Sequence, residues 1–295
     1  MNTSSLPANF RHAIELANLG TIEALLQNPI RVRDRQDDAL CYAARKGQLK
    51  VVKYLVDRGA DINARVNGPL TSSAANGHLD VVVYVLENGA KIEANNNEAL
   101  RWSASNGHLE VVKYLAENGA DVRSLDESAL RYIVINGHLN VLEYLVDKGA
   151  IIHTGNNDLI LQGAAYGHLD MVKYLGDMGV HIHTDNGTAL LASAVNGHLA
   201  VLKYLVENGA DIHVADDQAL VSSATEGHIE IVIFLVEKGA NIHGQNDAVL
   251  VQSALNGHLA VVKYLVEMAP IYTCEMIMRC AMLPQMVTWK WFNTW

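Results

Sequence analysis

Histidine is the residue type in this chain whose spacing most suggests chemistry. Seven of the 13 histidines, His78, His108, His138, His168, His198, His228 and His258, recur at intervals of thirty residues. Imidazoles in series could bind a metal or relay protons. Each stands in one short context, with glycine before it and leucine or isoleucine after it, as in Asn106-Gly107-His108-Leu109. Self-similarity at a fixed period of this size marks a repeat array, with one histidine to each stacked layer. Helix layers lie about 10 Å apart, whereas zinc holds its ligand nitrogens at ~2.1 Å. The series is therefore read as structural, an imidazole hydrogen-bonded to backbone around a turn. A second series, His153, His183, His213 and His243, falls in the connections, with His181 beside it. His181 and His183 would share one side of an extended segment, but two imidazoles with no third ligand make an incomplete zinc site. No metal and no cofactor is expected.

Other chemistry is not signalled. The chain has no Gly-rich phosphate loop, nucleophile elbow or metalloprotease helix. Cys274 and Cys280 have no placed histidine partner. The recurring Tyr54, Tyr84, Tyr114, Tyr144, Tyr174, Tyr204 and Tyr264, with Phe234 in their series, read as the edge of a core with the hydroxyl in water. An enzyme is not expected.

The elements that would carry these residues follow from one unit, 91–120. A polar, Asn-rich connection over 92–97 is turn-prone. A short helix is predicted over Ala99–Asn106, stopped by Gly107, which can take the left-handed conformation at a helix end. A longer helix over Leu109–Asn118 carries Leu109, Val112, Leu115 and Ala116 at helical spacing and ends at Gly119. An alanine recurs in the short helix at Ala44, Ala74, Ala104, Ala164, Ala194, Ala224 and Ala254, with Val134 the exception, so that adjacent units can approach closely. Residues 1–9 are expected to be a frayed N-terminus and 10–30 a degenerate N-terminal capping repeat. The array proper spans 31–268. The rhythm fails at Ala269-Pro270, and 269–295, rich in Met and aromatics, is expected to be an atypical C-terminal cap.

Charge and composition exclude further classes. A net charge of −10 argues against nucleic acid, whose phosphates need clustered Lys and Arg. No stretch reaches the ~20 apolar residues of a membrane span, and no secretory signal opens the chain. Three cysteines make no disulfide framework. A cytoplasmic protein, monomeric rather than oligomeric, is expected.

Helix, Asn-Gly-His-Leu-Glu turn, second helix and a closing Gly119-Ala120-Asp121-Val122 or Gly209-Ala210-Asp211-Ile212 resemble the ankyrin repeat over roughly 10–268. The resemblance implies an all-α helix-turn-helix solenoid that binds a protein partner. The family's unit is ~33 residues, and here it is thirty. The missing residues fall between Ala94 and Leu100, where only Pro69-Leu70 echoes the Thr-Pro-Leu-His opening, so shortened β-hairpin fingers are expected. The tyrosine of Val-Lys-Tyr-Leu, with the unit length, is similar to the ankyrin arrays of giant DNA viruses of amoebae (mimivirus-like), which implies host-interaction work in the host cytoplasm.

A scaffold can hold its core fixed and vary its binding face. Two positions before each turn glycine stand Arg45, Ala75, Ser105, Ile135, Ala165, Val195, Thr225 and Leu255, which vary freely. Arg101 and Trp102 are followed one unit later by Arg131 and Tyr132. Aromatics and arginine are enriched at binding hot spots. The partner-binding residues are therefore expected to be Arg101, Trp102, Arg131 and Tyr132, helped by Asn106, Ile135 and Tyr166, with Trp102 and Tyr132 as seam filler the competing reading. Two other functions stay open: a substrate adaptor of a ubiquitin-ligase complex, since Leu283-Pro284 is similar to the opening of F-box-like tails on such arrays, and a structural or particle-associated component.

Overall fold

The computed structural model describes residues 6–26, 32–152, 158–180 and 187–268. The expected C-terminal cap, with Leu283-Pro284, and the histidines His153, His181 and His183 lie outside the described residues. The chain divides into two compact units, Met1–Ile152 and His153–Trp295. Among the described residues every regular element is helical and no strand forms.

The first unit holds five helix pairs: α1 (Ala8–Glu15) with α2 (Leu19–Leu26), α3 (Val32–Arg45) with α4 (Leu49–Asp57), α5 (Ala64–Ala75) with α6 (Leu79–Glu87), α7 (Ala94–Ser105) with α8 (Leu109–Glu117), and α9 (Glu127–Ile135) with α10 (Leu139–Asp147). The second holds α11 (Asp158–Ala165) with α12 (Leu169–Asp177), α13 (Thr188–Val195) with α14 (Leu199–Glu207), α15 (Val214–Glu226) with α16 (Ile229–Glu237), and α17 (Gly244–Leu255) with α18 (Leu259–Met268). Within each unit the first helix of a pair packs on the first helix of the next, and most second helices do the same.

The α7/α8 pair shows why. Ala99, Leu100, Ser103 and Ala104 line one face of α7, and Val111, Val112 and Leu115 one face of α8; all are buried. Burying a Leu or Val side chain fully contributes about 2 kcal/mol, while ordering each residue's backbone costs about 1–2 kcal/mol. Two helices this short cannot balance that alone, so each pair needs neighbours. Ser103 fits the seam because its hydroxyl donates to the Leu100 carbonyl at 3.0 Å and leaves no polar atom orphaned.

The turn between the helices is closed by two backbone bonds, Gly107 N to Ala104 O at 3.1 Å and His108 N to Ser103 O at 2.9 Å. This is the Schellman arrangement, and it needs a residue at positive φ; Gly107 has φ +79°. A second reason for glycine is the next layer. A Cβ on Gly107 would lie 2.5 Å from the His138 ring.

In place of the expected fingers, several connections are a single left-handed turn. Asn95, Asn96 and Asn97 have φ of 53°, 56° and 56°, and Arg65–Asn67 and Ala215–Asp217 repeat the shape. Asparagine enters this region readily because its short side chain bonds locally. Val66, a β-branched residue, does not, and stands 66% exposed in it. Side chains of these turns tie adjacent connections together. Asn67 donates to the Lys91 carbonyl at 2.7 Å and accepts from the Lys91 amide at 3.2 Å. Asn97 accepts from the Asp121 amide at 3.1 Å and donates to Ser124 Oγ at 2.9 Å.

The tyrosine expectation needs correction. The hydroxyls of Tyr54, Tyr144 and Tyr264 are buried without a hydrogen-bond partner in the protein. Each ring lies deep enough against its neighbours to take its polar tip out of water. Burial raises the pKa of Tyr144 and Tyr264, and the carboxylates of Glu117 and Glu237 act in the same direction.

Candidate partner-binding face

The turn histidines answer the first question put by the sequence. His78 Nε2 meets the Arg45 carbonyl at 3.0 Å, His108 that of Ala75 at 3.1 Å, His198 that of Ala165 at 3.0 Å, His228 that of Val195 at 2.9 Å and His258 that of Thr225 at 2.8 Å. The bond reaches back thirty-three residues to the preceding layer rather than around the histidine's own turn. Its ring covers the preceding turn glycine. These imidazoles join layers.

The connection histidines behave differently. His213 Nδ1 lies 2.9 Å from Asp217 Oδ1, and His243 Nδ1 lies 2.7 Å from Asp247 Oδ1, each four residues on. At the matching position of the first unit Asn63 instead donates to the Gly89 carbonyl of the next connection, at 3.2 Å. Among the described residues no three His, Cys, Asp or Glu side chains gather as a metal-binding group.

Of the seven residues singled out for partner binding, six sit on two adjacent first helices of the first unit and the turn after one of them. Trp102 on α7 is 45% exposed and Tyr132 on α9 is 53% exposed. Neither fills the seam, where Leu100 and Leu130 stand buried beside Ser103 and Ile133. Trp102 Nε1 donates to Glu98 Oε1 at 3.4 Å, one helical turn earlier. Arg131 is exposed and Ile135 half-buried. At the position of Trp102 and Tyr132 other layers carry Tyr42, Ser72, Gln162, Ala192, Ser222 and Gln252, so a ring recurs at Tyr42 but rings on two adjacent layers are a local feature.

Arg101 has a role that sequence spacing did not signal. Its Nη2 donates to the Asn95 carbonyl at 3.3 Å, and its Nη1 pairs with Asp126 Oδ2 at 3.4 Å. Asp126 is the N-cap of α9 and accepts from the Ala129 amide at 2.8 Å. Arg101 therefore spans two connections, and its Nε is buried without a partner. Asn106 is exposed, and its amide group donates to the Ala75 carbonyl at 2.8 Å, beside the His108 bond to the same oxygen. Tyr166 belongs to the second unit, where it is 53% exposed and its ring lies parallel to that of His168, with centroids 6.5 Å apart.

What the arrangement can do is bind. It offers two large exposed rings, one exposed guanidinium and one anchored guanidinium on neighbouring helices.

Comparison with known proteins agrees with this architecture. A family profile described as ankyrin repeats (3 copies) matches residues 66–126, 130–216, 162–246 and 190–276, and another described as ankyrin repeats (many copies) matches 40–86. Among solved structures, the ankyrin repeat domain of human ASB11 is similar, with a TM-score of 0.56 at 22% identity over 66% of this chain and 96% of that one. At that identity the likeness is one of fold. No curated protein matches the sequence.

Proposed function

This chain belongs to the ankyrin-repeat family, whose repeats mediate protein–protein binding, and we propose that it is a non-enzymatic scaffold gripping a protein partner on the face of its short helices, the concave side of an ankyrin array. The observation that carries this reading is the pair of exposed aromatic rings, Trp102 and Tyr132, on adjacent helices, where most other large apolar side chains among the described residues are buried or half-buried. Arg131 beside Tyr132, and Arg101 held between two connections, add the residue type most often found with aromatics at binding hot spots. Ile135 and Asn106 complete the face; Tyr166 offers a further ring in the second unit. A net charge of −10 favours protein over nucleic acid as the partner.

The low cysteine content suits the cytoplasm. Among the described residues no helix is long and apolar enough to cross a membrane. The likeness of the thirty-residue units and their Val-Lys-Tyr-Leu segments to giant-virus arrays supports work on host proteins. The protein acts as a monomer in this reading.

The test is capture from a eukaryotic lysate by the full chain and by the double variant Trp102→Ala, Tyr132→Ala, followed by affinity measurement on the purified partner. Loss of hot-spot rings weakens binding by at least about 2 kcal/mol, roughly thirtyfold. Because both rings are exposed, thermal stability should hold. A variant that binds as well as the parent, or that loses stability instead, overturns the reading. Ligase subunits captured only by a chain that keeps 269–295 would make it an adaptor.

A further inference from the structure

The last described layer is built like the others but its outward face is open. At one position of the second helix Val52, Val82, Val112, Leu142, Val172, Leu202 and Val232 are all 0% exposed, while Val262, at the same position of α18, is half-exposed. The turn tells the same story. A Cβ on Gly47, Gly77, Gly107, Gly167, Gly197 or Gly227 would meet the next layer's histidine ring within 2.9 Å, whereas a Cβ on Gly257 would meet nothing within 4 Å. No described residue donates to the Leu255 carbonyl, although the matching carbonyls of Thr225 and Val195 each accept from a histidine. Met268, at the end of α18, is 50% exposed.

We propose that this open face is a docking surface for the chain's own residues 277–295, which cover it as a degenerate tenth layer. The chain continues for 27 residues beyond Met268 (295 − 268), close to one thirty-residue unit. Trp291, Phe292 and Trp295 stand thirty residues after Val261, Val262 and Leu265, so the spacing of the buried face of α18 is repeated in larger side chains. Ile277, Met278, Ala281 and Met282 repeat the spacing of Val249, Leu250, Ser253 and Ala254 of α17, two residues out of register. Thr288 stands where the next histidine would fall, which agrees with the empty notch at Gly257. Arg279, Gln285, Lys290, Asn293 and Thr294 lie between the apolar positions, an amphipathic pattern with one face for the array and one for water. A tethered segment also meets its site at an effective concentration of the order of millimolar, which favours it over a second copy of the chain.

Photo-crosslinking from residue 262 tests the assignment. A photoreactive amino acid in place of Val262, in the full chain, should link to peptides within 286–295 of the same polypeptide. Hydrogen exchange gives the second readout. Phe292→Asp should speed amide exchange over 244–268 by about tenfold or more while 32–117 stays unchanged. Links to another copy of the chain, links elsewhere or none, or exchange over 244–268 that is the same in the parent, in Phe292→Asp and in a chain ending at Met268, each overturns it. Since the readouts lie in the second unit, the outcome is independent of partner binding at Trp102 and Tyr132.

Discussion

Two connections flank the helix that carries Trp102, and they are built differently. Residues 91–93 lead into α7, whose first residues include a left-handed turn of three asparagines, and the side chain of Glu93 does not cap it. Residues 121–126 enter α9 through a 3-10 turn at Val122–Ser124 and an extended Leu125, and Asp126 caps the helix. The first solution buries Asn97 and uses its amide to hold the next connection; the second buries Leu125 instead. The difference also reaches the seam, where Ser103-Ala104 of α7 gives way to Ile133-Val134 of α9 and α9 packs on α7 more sparsely than α7 packs on α5. The candidate face thus straddles a change of construction, and Arg101 is the side chain that bridges it. A scaffold that repeats itself acquires a distinctive surface where the repetition is interrupted.

The strongest way to break this comparison is to damage what both layers share. Gly107→Ala adds the penalty of a non-glycine residue in the left-handed region, about 1–2 kcal/mol, to overpacking against His138, about 1–3 kcal/mol. A loss near 3 kcal/mol should appear as a large drop in the urea midpoint of the first unit. Next comes the capped connection. Asp126→Ala removes the bond from Ala129 and should cost about 1–2 kcal/mol, read as faster exchange over 127–135.

The left-handed turns offer a reciprocal pair. Val66→Asn should raise stability by about 1 kcal/mol and Asn96→Val lower it by the same amount, since the two residues occupy the same strained position. Equal effects of one sign would show that the turns are not equivalent. The smallest stability effect belongs to Arg101→Ala. Its pairing with Asp126 is 3.4 Å long between partly exposed groups and contributes less than about 1 kcal/mol. Partner affinity should fall more than stability does, and titration calorimetry beside thermal melting separates the two.

Much of this fold could be read from spacing alone, because its rules are local. Gly107 and Gly119 end helices through bonds that span only a few residues, and Leu109, Val112 and Leu115 announce their helix by period. What could not be read lies between layers. The acceptor of His108 is thirty-three residues away, on Ala75, and no pattern in a single unit points to it. The tie of Asn97 to the following connection likewise spans two layers and has no signal within one unit. The exposure of Trp102 was legible only as one of two readings, since a tryptophan one position from the seam could have turned in. Arg101 reads from its type and place as a contact, and its partner Asp126 belongs to the next layer, so its bridging role appears only once the layers are stacked.

The histidine bond has a consequence for how such a chain can change. Its acceptor is a backbone carbonyl, a group that every amino acid supplies, and its socket is a glycine. The layers of His78, His108, His198, His228 and His258 therefore each bring a plug to the socket of the layer before, both independent of the side chains that vary between them. Duplicating or deleting such a segment within one unit would leave its histidine joints matched, so that part of the coupling tolerates change in integral steps. Arg45, Ala75, Ala165, Val195 and Thr225 all serve the same joint through their carbonyls. That column can be randomised in a library without touching the coupling that holds the layers together.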